Sequence, residues 1–132
     1  MTNNFKLDEF LENRWIKDAA ELKRIKTSVT PVILANLTEL AQNLQVLRDH
    51  LKRPISINIA FRPVWWELAR GRSGTSRHAT GEAADIIVQG MTPKAVAAEI
   101  KKLMDAGRMK KGGLSAYPTF THYDIRGVYA TW

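Results

Sequence analysis

The stretch from Thr30 to Pro54 constrains the fold most, because it encodes a long helix that is followed at once by a strand. Thr30 is placed to cap this helix, Pro31 suits its first position, and Pro54 prevents its continuation. The helix has one apolar face, on which leucines recur at alternating steps of three and four: Leu37, Leu40, Leu44, Leu47 and Leu51. The sequence therefore predicts a core-facing helix that ends before Pro54.

The rest of the chain mixes strand and helix patterns. ISINIAFR, residues 55–62, alternates apolar and polar side chains, which is typical of a strand with one buried face. AADIIV, residues 83–88, predicts a second strand, and TPKAVAAEIKKLMDAG, residues 92–107, predicts a second helix. Glycines, a proline and aromatic residues in residues 110–132 indicate strands joined by turns. This order predicts the α+β class, with a small antiparallel sheet packed with helices.

Length and composition limit both the fold and the chemistry. With 132 residues, of which 45% are hydrophobic, the chain has material for one core, so we expect residues 1–132 to form a single domain and a monomer. Cysteine is absent, which excludes disulfides, thiolate zinc sites and cysteine nucleophiles. Any metal must therefore be held by histidine, aspartate or glutamate.

Net charge and hydropathy narrow the choice of partners. Lysine and arginine total 20 against 13 acidic residues, and this surplus favours anionic partners such as nucleic acid, membrane surfaces or cell-wall polymers. The basic residues are scattered along the chain, so we expect a solvated surface and no specific nucleic-acid site. MTNNFKLDEF, residues 1–10, lacks a basic region followed by an apolar run, and no window approaches the roughly 20 apolar residues of a membrane span. We expect no signal peptide and no transmembrane segment.

SRHATGEAADI, residues 76–86, indicates a metal site. His78 and Asp85 are possible ligands, and Gly81 allows the backbone to turn between them. A hydrolytic zinc site needs about three protein ligands and a position left for water. His122 is the natural third ligand, because strand alternation in FTHYDIR places it on one face together with Asp124 and Arg126.

These residues carry a resemblance to a known family. The pattern SxHxxGxAxD of the zinc D-Ala-D-Ala carboxypeptidase and L-alanyl-D-glutamate endopeptidase family is matched by Ser76, His78, Gly81, Ala83 and Asp85. FKLDEFL, IAFRP and GGLSAYPTFTHYDIRG resemble, in the same order, segments of the short bacterial and phage branch of that family. The resemblance implies the hedgehog/DD-peptidase fold, a zinc ion in a cleft on the sheet, and His78, Asp85 and His122 as its ligands.

The resemblance also implies roles for two residues near the metal. Arg62 matches a family arginine that is thought to bind a substrate carboxylate or developing negative charge, as a guanidinium can do through paired hydrogen bonds. The surrounding segment departs from the family's SGYR, because Ala60 and Phe61 replace its glycine and tyrosine. Ser76 is expected to form a hydrogen bond with a ligand or with the loop backbone.

The residue that accepts a proton from the attacking water has more than one candidate. Many family members carry an acid three positions before the last histidine ligand, but that position is Thr119, which cannot accept the proton. Asp124 is the nearest acid on the His122 face, and its alternative role is to orient a ligand or to pair with Arg126. Glu82, inside the motif, is a second candidate.

The resemblance implies a zinc metallopeptidase that hydrolyses peptide bonds in the stem peptides or cross-links of peptidoglycan, as a carboxypeptidase or an endopeptidase. We expect a phage lysin-like enzyme, made in the cytoplasm of a phage host and acting on the cell wall after release, or a virion-associated one. A cytoplasmic bacterial protein is a further possibility. The alternative function is a non-catalytic zinc-containing module of the same fold, for binding or virion structure, which the threonine at position 119 supports.

Overall fold

The longest helix, α3, spans Pro31–Leu51 and begins and ends as the sequence predicts. The Thr30 side chain accepts a hydrogen bond from the Ile33 amide at 3.2 Å, and Pro31 occupies the first turn. The helix ends where Lys52 adopts a left-handed conformation, with φ of 55°. Its leucine face is buried in the core: Leu37, Leu40, Leu44 and Leu47 have no exposed surface, whereas Leu51 is partly buried.

A four-stranded antiparallel sheet lies at the centre of the computed structural model, which describes residues 1–132. The order of its strands across the sheet is β1-β2-β4-β3. The strands are β1 (Ile55–Ile59), β2 (Ala83–Val88), β3 (Leu114–Ala116) and β4 (Thr121–Asp124). The α+β class and the small antiparallel sheet are thereby confirmed.

The pairing of the two central strands brings chemically important residues together. In the ladder between β2 and β4, Asp85 is the direct partner of His122, and Ala83 is the partner of Asp124. On its other side β2 pairs with β1, where an irregularity follows Ile57. Asp85 thus lies in an inner strand of the sheet.

Four further helices surround the sheet: α1 (Leu7–Leu11), α2 (Ala19–Thr27), α4 (Val64–Ala69) and α5 (Pro93–Asp105). Helix α5 was predicted, and Thr92 caps it, because the Thr92 side chain accepts a hydrogen bond from the Ala95 amide at 3.2 Å. None of the helices combines the length and the hydrophobicity that crossing a bilayer requires.

The segment between β1 and β2 is partly helical, although the sequence shows no helical period there. It contains α4 and a short 3-10 helix, Arg77–Thr80. Pro63 initiates α4, and buried Trp66 anchors the helix to the core. Six residues make fewer than two helical turns, so the segment is too short to show a helical period in the sequence.

Candidate metal centre

Three side chains on separate segments converge at the sheet. His78 projects from the 3-10 helix, Asp85 from β2 and His122 from β4. All three are buried, and one potential ligand atom of each lies within 4.8 Å of the other two. The chain thus brings together the residues that the sequence singled out as metal ligands.

Backbone contact fixes the orientation of the His78 ring. Its Nδ1 lies 2.7 Å from the carbonyl oxygen of Ala60, which only accepts hydrogen bonds, so Nδ1 carries a proton. The lone pair of the neutral ring is therefore on Nε2, which lies 3.4 Å from Asp85 Oδ1. His78 presents a metal-binding nitrogen towards the carboxylate.

Asp124 fixes the His122 ring in a similar way. Its Oδ2 lies 2.8 Å from His122 Nε2, which leaves Nδ1 directed at Asp85 Oδ1 at 3.2 Å. Burial would lower the pKa of His122, but the bonds to Asp124 and Asp85 outweigh burial and raise that pKa. This His122–Asp124 pair has the form of the carboxylate–histidine arrangement that supports many metal ligands.

The spacing at Asp85 fits a small cation. His78 Nε2 and His122 Nδ1 both face Asp85 Oδ1. Because the lone pairs of these three atoms repel one another, a positive charge must lie among them, supplied by protons or by a metal ion. Burial would raise the pKa of Asp85, yet bonding to His122 and His78 holds that pKa well below its usual range, so the group is a carboxylate. Ligand atoms about 2.1 Å from tetrahedral zinc are about 3.4 Å apart, close to the observed separations of 3.2 and 3.4 Å. The donor set and its spacing therefore fit zinc.

Asp124 is fully buried, and both of its oxygens are occupied. Oδ1 accepts hydrogen bonds from the Gly113 amide at 2.7 Å and from Arg126 Nε at 2.9 Å. Arg126 also donates to Oδ2 at 2.7 Å, beside the contact with His122. Burial would raise the pKa of Asp124, but its bonds to His122 and Arg126 dominate and hold it well below the usual range.

Two glycines make room for Asp124. A Cβ atom added at Gly112 would overlap the Asp124 backbone carbonyl, and one added at Gly113 would overlap its carboxylate. The sequence presents these residues only as turn-forming glycines before β3. Their role in packing depends on the pairing of β3 with β4, which brings both glycines into contact with Asp124.

A buried ion pair between Arg62 and Glu67 lies beside the candidate metal ligands. Arg62 follows β1 and is 8% exposed, and its Nε lies 2.9 Å from Glu67 Oε2. The same Glu67 oxygen accepts a hydrogen bond from Ser76 Oγ at 2.6 Å. Glu67, in α4, thus joins two residues that the sequence assigned to the site, although sequence reasoning missed Glu67 itself. The available signal was a glutamate within the aromatic segment VWWELA.

The three ligand candidates line a cleft of about 810 Å³. Its aromatic lining residues are Trp15, Trp66, Tyr117, Phe120 and Trp132. Trp132 packs edge-on against His122, with 4.9 Å between the ring centroids. The cleft is large enough to hold several residues of a peptide.

Asp85 is the one acidic side chain that lines the cleft. Asp124 lies behind His122, and Glu82 forms an ion pair with Arg77 at 3.6 Å and accepts a hydrogen bond from Thr80. Thr119 is exposed and lines a separate, smaller pocket. Neither of the two candidates for proton acceptor is therefore among the residues that line the cleft.

Comparison with known proteins agrees with the fold and the donor set. The family model described as Peptidase M15 matches residues 3–124, which is nearly the whole chain. The chain therefore belongs to the Peptidase M15 family, and the predicted family is confirmed. Membership supports a zinc-dependent metallopeptidase, in keeping with the His-Asp-His group. No curated protein matches the chain.

Proposed function

We propose that the protein is a peptidoglycan peptidase that uses His78, Asp85 and His122 as its zinc ligands. The observation that carries this proposal is the convergence of two histidine nitrogens on one Asp85 oxygen within a large cleft. Zinc held there would polarise the scissile carbonyl and lower the pKa of a water molecule. The protein's own side chains hold the ligands, bind the substrate and balance charge.

Asp124 acts in this proposal as a positioning residue. Its contact with His122 Nε2 keeps the ring in the tautomer that offers Nδ1 to the metal. Four other donor contacts, from Gly113 and Arg126, hold the carboxylate in place and occupy its oxygens. These contacts support the orienting role over proton transfer, because an oxygen committed to several donors is a poor base.

Arg62 is proposed to stabilise negative charge on the substrate during hydrolysis. It is a buried cation that lines the cleft, and it makes no side-chain hydrogen bond other than its ionic contact with Glu67. Charge-assisted bonds from a guanidinium strengthen as negative charge develops on an oxygen. Ser76 supports this arrangement indirectly, because it binds the Glu67 oxygen that faces Arg62.

The peptide part of peptidoglycan is a suitable substrate for this cleft. Stem peptides are short and carry free carboxylates, and five arginines line the cleft: Arg62, Arg70, Arg72, Arg77 and Arg126. We further propose that residues 1–132 act as one monomeric domain, in a phage lysin-like enzyme that reaches the wall after release or within a virion. The resemblance of FKLDEFL, IAFRP and GGLSAYPTFTHYDIRG to segments of the short bacterial and phage branch supports the phage setting.

A non-catalytic zinc module is the second candidate. One observation favours it: the cleft contains no acidic side chain apart from the proposed ligand Asp85. In that case the cleft would bind wall peptides without cleaving them.

Digestion of purified peptidoglycan distinguishes the two functions. We expect the wild-type protein to release new peptide ends, and His122→Ala to lose this activity together with its zinc. The matched control is His50→Ala, because His50 lies outside the cleft and contacts Glu99 at 3.2 Å. Mass spectrometry of the muropeptides identifies the bond that is cut. Zinc-loaded protein that binds peptidoglycan but releases no peptide ends would support the non-catalytic module.

A further inference from the structure

Four of the five cleft arginines are already paired with acids. Arg70 contacts Glu21 at 2.6 Å, and Arg126 contacts Asp124 at 2.7 Å. The two other pairs are Arg62–Glu67 at 2.9 Å and Arg77–Glu82 at 3.6 Å. Arg72 differs, because its guanidinium makes neither an ion pair nor a hydrogen bond within the protein. It is therefore the cleft cation that has no acidic partner.

The backbone of Arg72 is held close to the Arg62–Glu67 pair. Its amide donates to the carbonyl oxygen of Glu67 at 2.9 Å, in the turn that ends α4. Gly71, with φ of 75°, provides the left-handed conformation that this turn requires. The start of the Arg72 side chain is therefore fixed, and the residue is exposed and lines the cleft.

The positive charge of Arg62 and Arg72 together exceeds the negative charge that is available near them. Glu67 is the acid that contacts Arg62, and the Glu67 oxygen involved is shared with Ser76. Burial lowers the pKa of Arg62 and repulsion from Arg72 lowers it further, while Glu67 and Asp85 partly compensate. Two guanidiniums thus share one nearby unligated carboxylate, which leaves positive charge for an anion to neutralise.

We propose that Arg72 binds a free carboxylate of the substrate, and that it makes the cleft select stem peptides with that carboxylate over peptides in which it is amidated. This inference rests on the proposed peptidase function and adds the chemical class that the cleft selects. A guanidinium forms two parallel charge-assisted hydrogen bonds with a carboxylate. An amide carries no charge, so it loses most of this interaction.

Matched stem peptides test the proposal. Each pair has one carboxylate either free or converted to a carboxamide, with one pair for every carboxylate of the peptide. We expect wild-type kcat/KM to favour the free form by about 10-fold or more for one pair. Arg72→Gln should bring that ratio close to one. Arg72→Lys should retain part of the preference, because lysine keeps the positive charge but lacks the paired donors of a guanidinium.

Arg108→Gln is the matched control, since Arg108 is exposed, makes no ion pair and lies outside the cleft. It should leave the wild-type preference unchanged. Equal rates for both members of every pair would overturn the inference, as would a preference that survives Arg72→Gln. If the wild type cleaves no peptide, the proposed function fails, and dissociation constants for the same intact peptides then decide the Arg72 inference by the same ratios.

Discussion

The metal floor, formed by His78, Asp85, His122 and Asp124, contrasts with the cleft wall, formed by Arg62, Arg72 and Ser76 and supported from behind by the buried Glu67. In the floor, each histidine nitrogen faces a defined oxygen, and Asp124 is saturated with donors. In the wall, Arg62 has one ionic contact, with the buried Glu67, and Arg72 has no acidic partner. The floor groups face one another at distances that fit a cation, whereas the wall carries guanidinium groups whose charge a substrate anion can neutralise.

The physical origin of the contrast is the backbone that carries each group. Two of the floor residues pair directly across a sheet, where register fixes the distance between them. Arg62 lies after β1, Glu67 on a six-residue helix, Arg72 in the turn that follows this helix, and Ser76 immediately before the 3-10 helix. The floor presents ligand atoms around one carboxylate oxygen and the wall presents cations, so we expect the floor to respond to metal and the wall to substrate.

Loss of a metal ligand should have the largest effect. We expect the wild type to hold about one zinc per chain, and His78→Ala to lose most of it together with turnover. Removal of zinc by a chelator should also lower the melting temperature, since a ligand that binds the folded state stabilises it. Elemental analysis and thermal unfolding measure both effects, with His50→Ala as the control. Full zinc content in His78→Ala would show that His78 is not a zinc ligand.

Asp124→Asn should have the next largest effect. It alters the residue that orients the proposed ligand His122. We expect zinc affinity to fall by about 10–100-fold, because His122 loses the carboxylate that sets its tautomer. Turnover at saturating zinc should stay within a few-fold of wild type. Competition with a chromogenic chelator measures the affinity, and Asp105→Asn, which alters an exposed ion pair with Lys101, is the control. Normal zinc affinity with turnover reduced by about 100-fold or more would instead identify Asp124 as the proton acceptor.

Glu67→Gln should have the smallest effect of the three on zinc, because it changes only the wall. We expect zinc content to stay at the wild-type level while kcat falls by about 10-fold, since Arg62 loses the charge that positions it. Unfolding free energy should fall by roughly 3 kcal/mol or more, because a buried cation loses its charged partner.

Steady-state kinetics and zinc analysis on one Glu67→Gln preparation check this result. The control is Glu99→Gln, a partly exposed glutamate outside the cleft that pairs with His50. Loss of zinc in Glu67→Gln would show that floor and wall are not independent. Unchanged kcat would show that Arg62 does not need Glu67 for its position.

Much of the floor was predictable from the sequence, and the wall was less so. Leucine spacing and caps predict α3, and the SxHxxGxAxD pattern brings His78 and Asp85 together within one short segment. The partners of Asp124 were not predictable in this way, because the Gly113 contact depends on the register of β3 against β4. Glu67 was missed because its contacts with Arg62 and Ser76 require a short helix with no visible period. Local patterns thus predict elements and motif residues, whereas contacts between elements need the assembled fold.

The direct pairing of Asp85 with His122 has a consequence for folding. A one-residue slip between β2 and β4 would turn one of these side chains to the opposite face of the sheet and separate the pair. Zinc bound by both residues, as proposed, would therefore favour the native register over slipped alternatives. A metal concentration about 100-fold above the dissociation constant adds about 2.7 kcal/mol in favour of the native state. Under the proposed zinc ligation, metal that is available while the chain folds would thus favour correct alignment of β2 with β4 before any substrate is present.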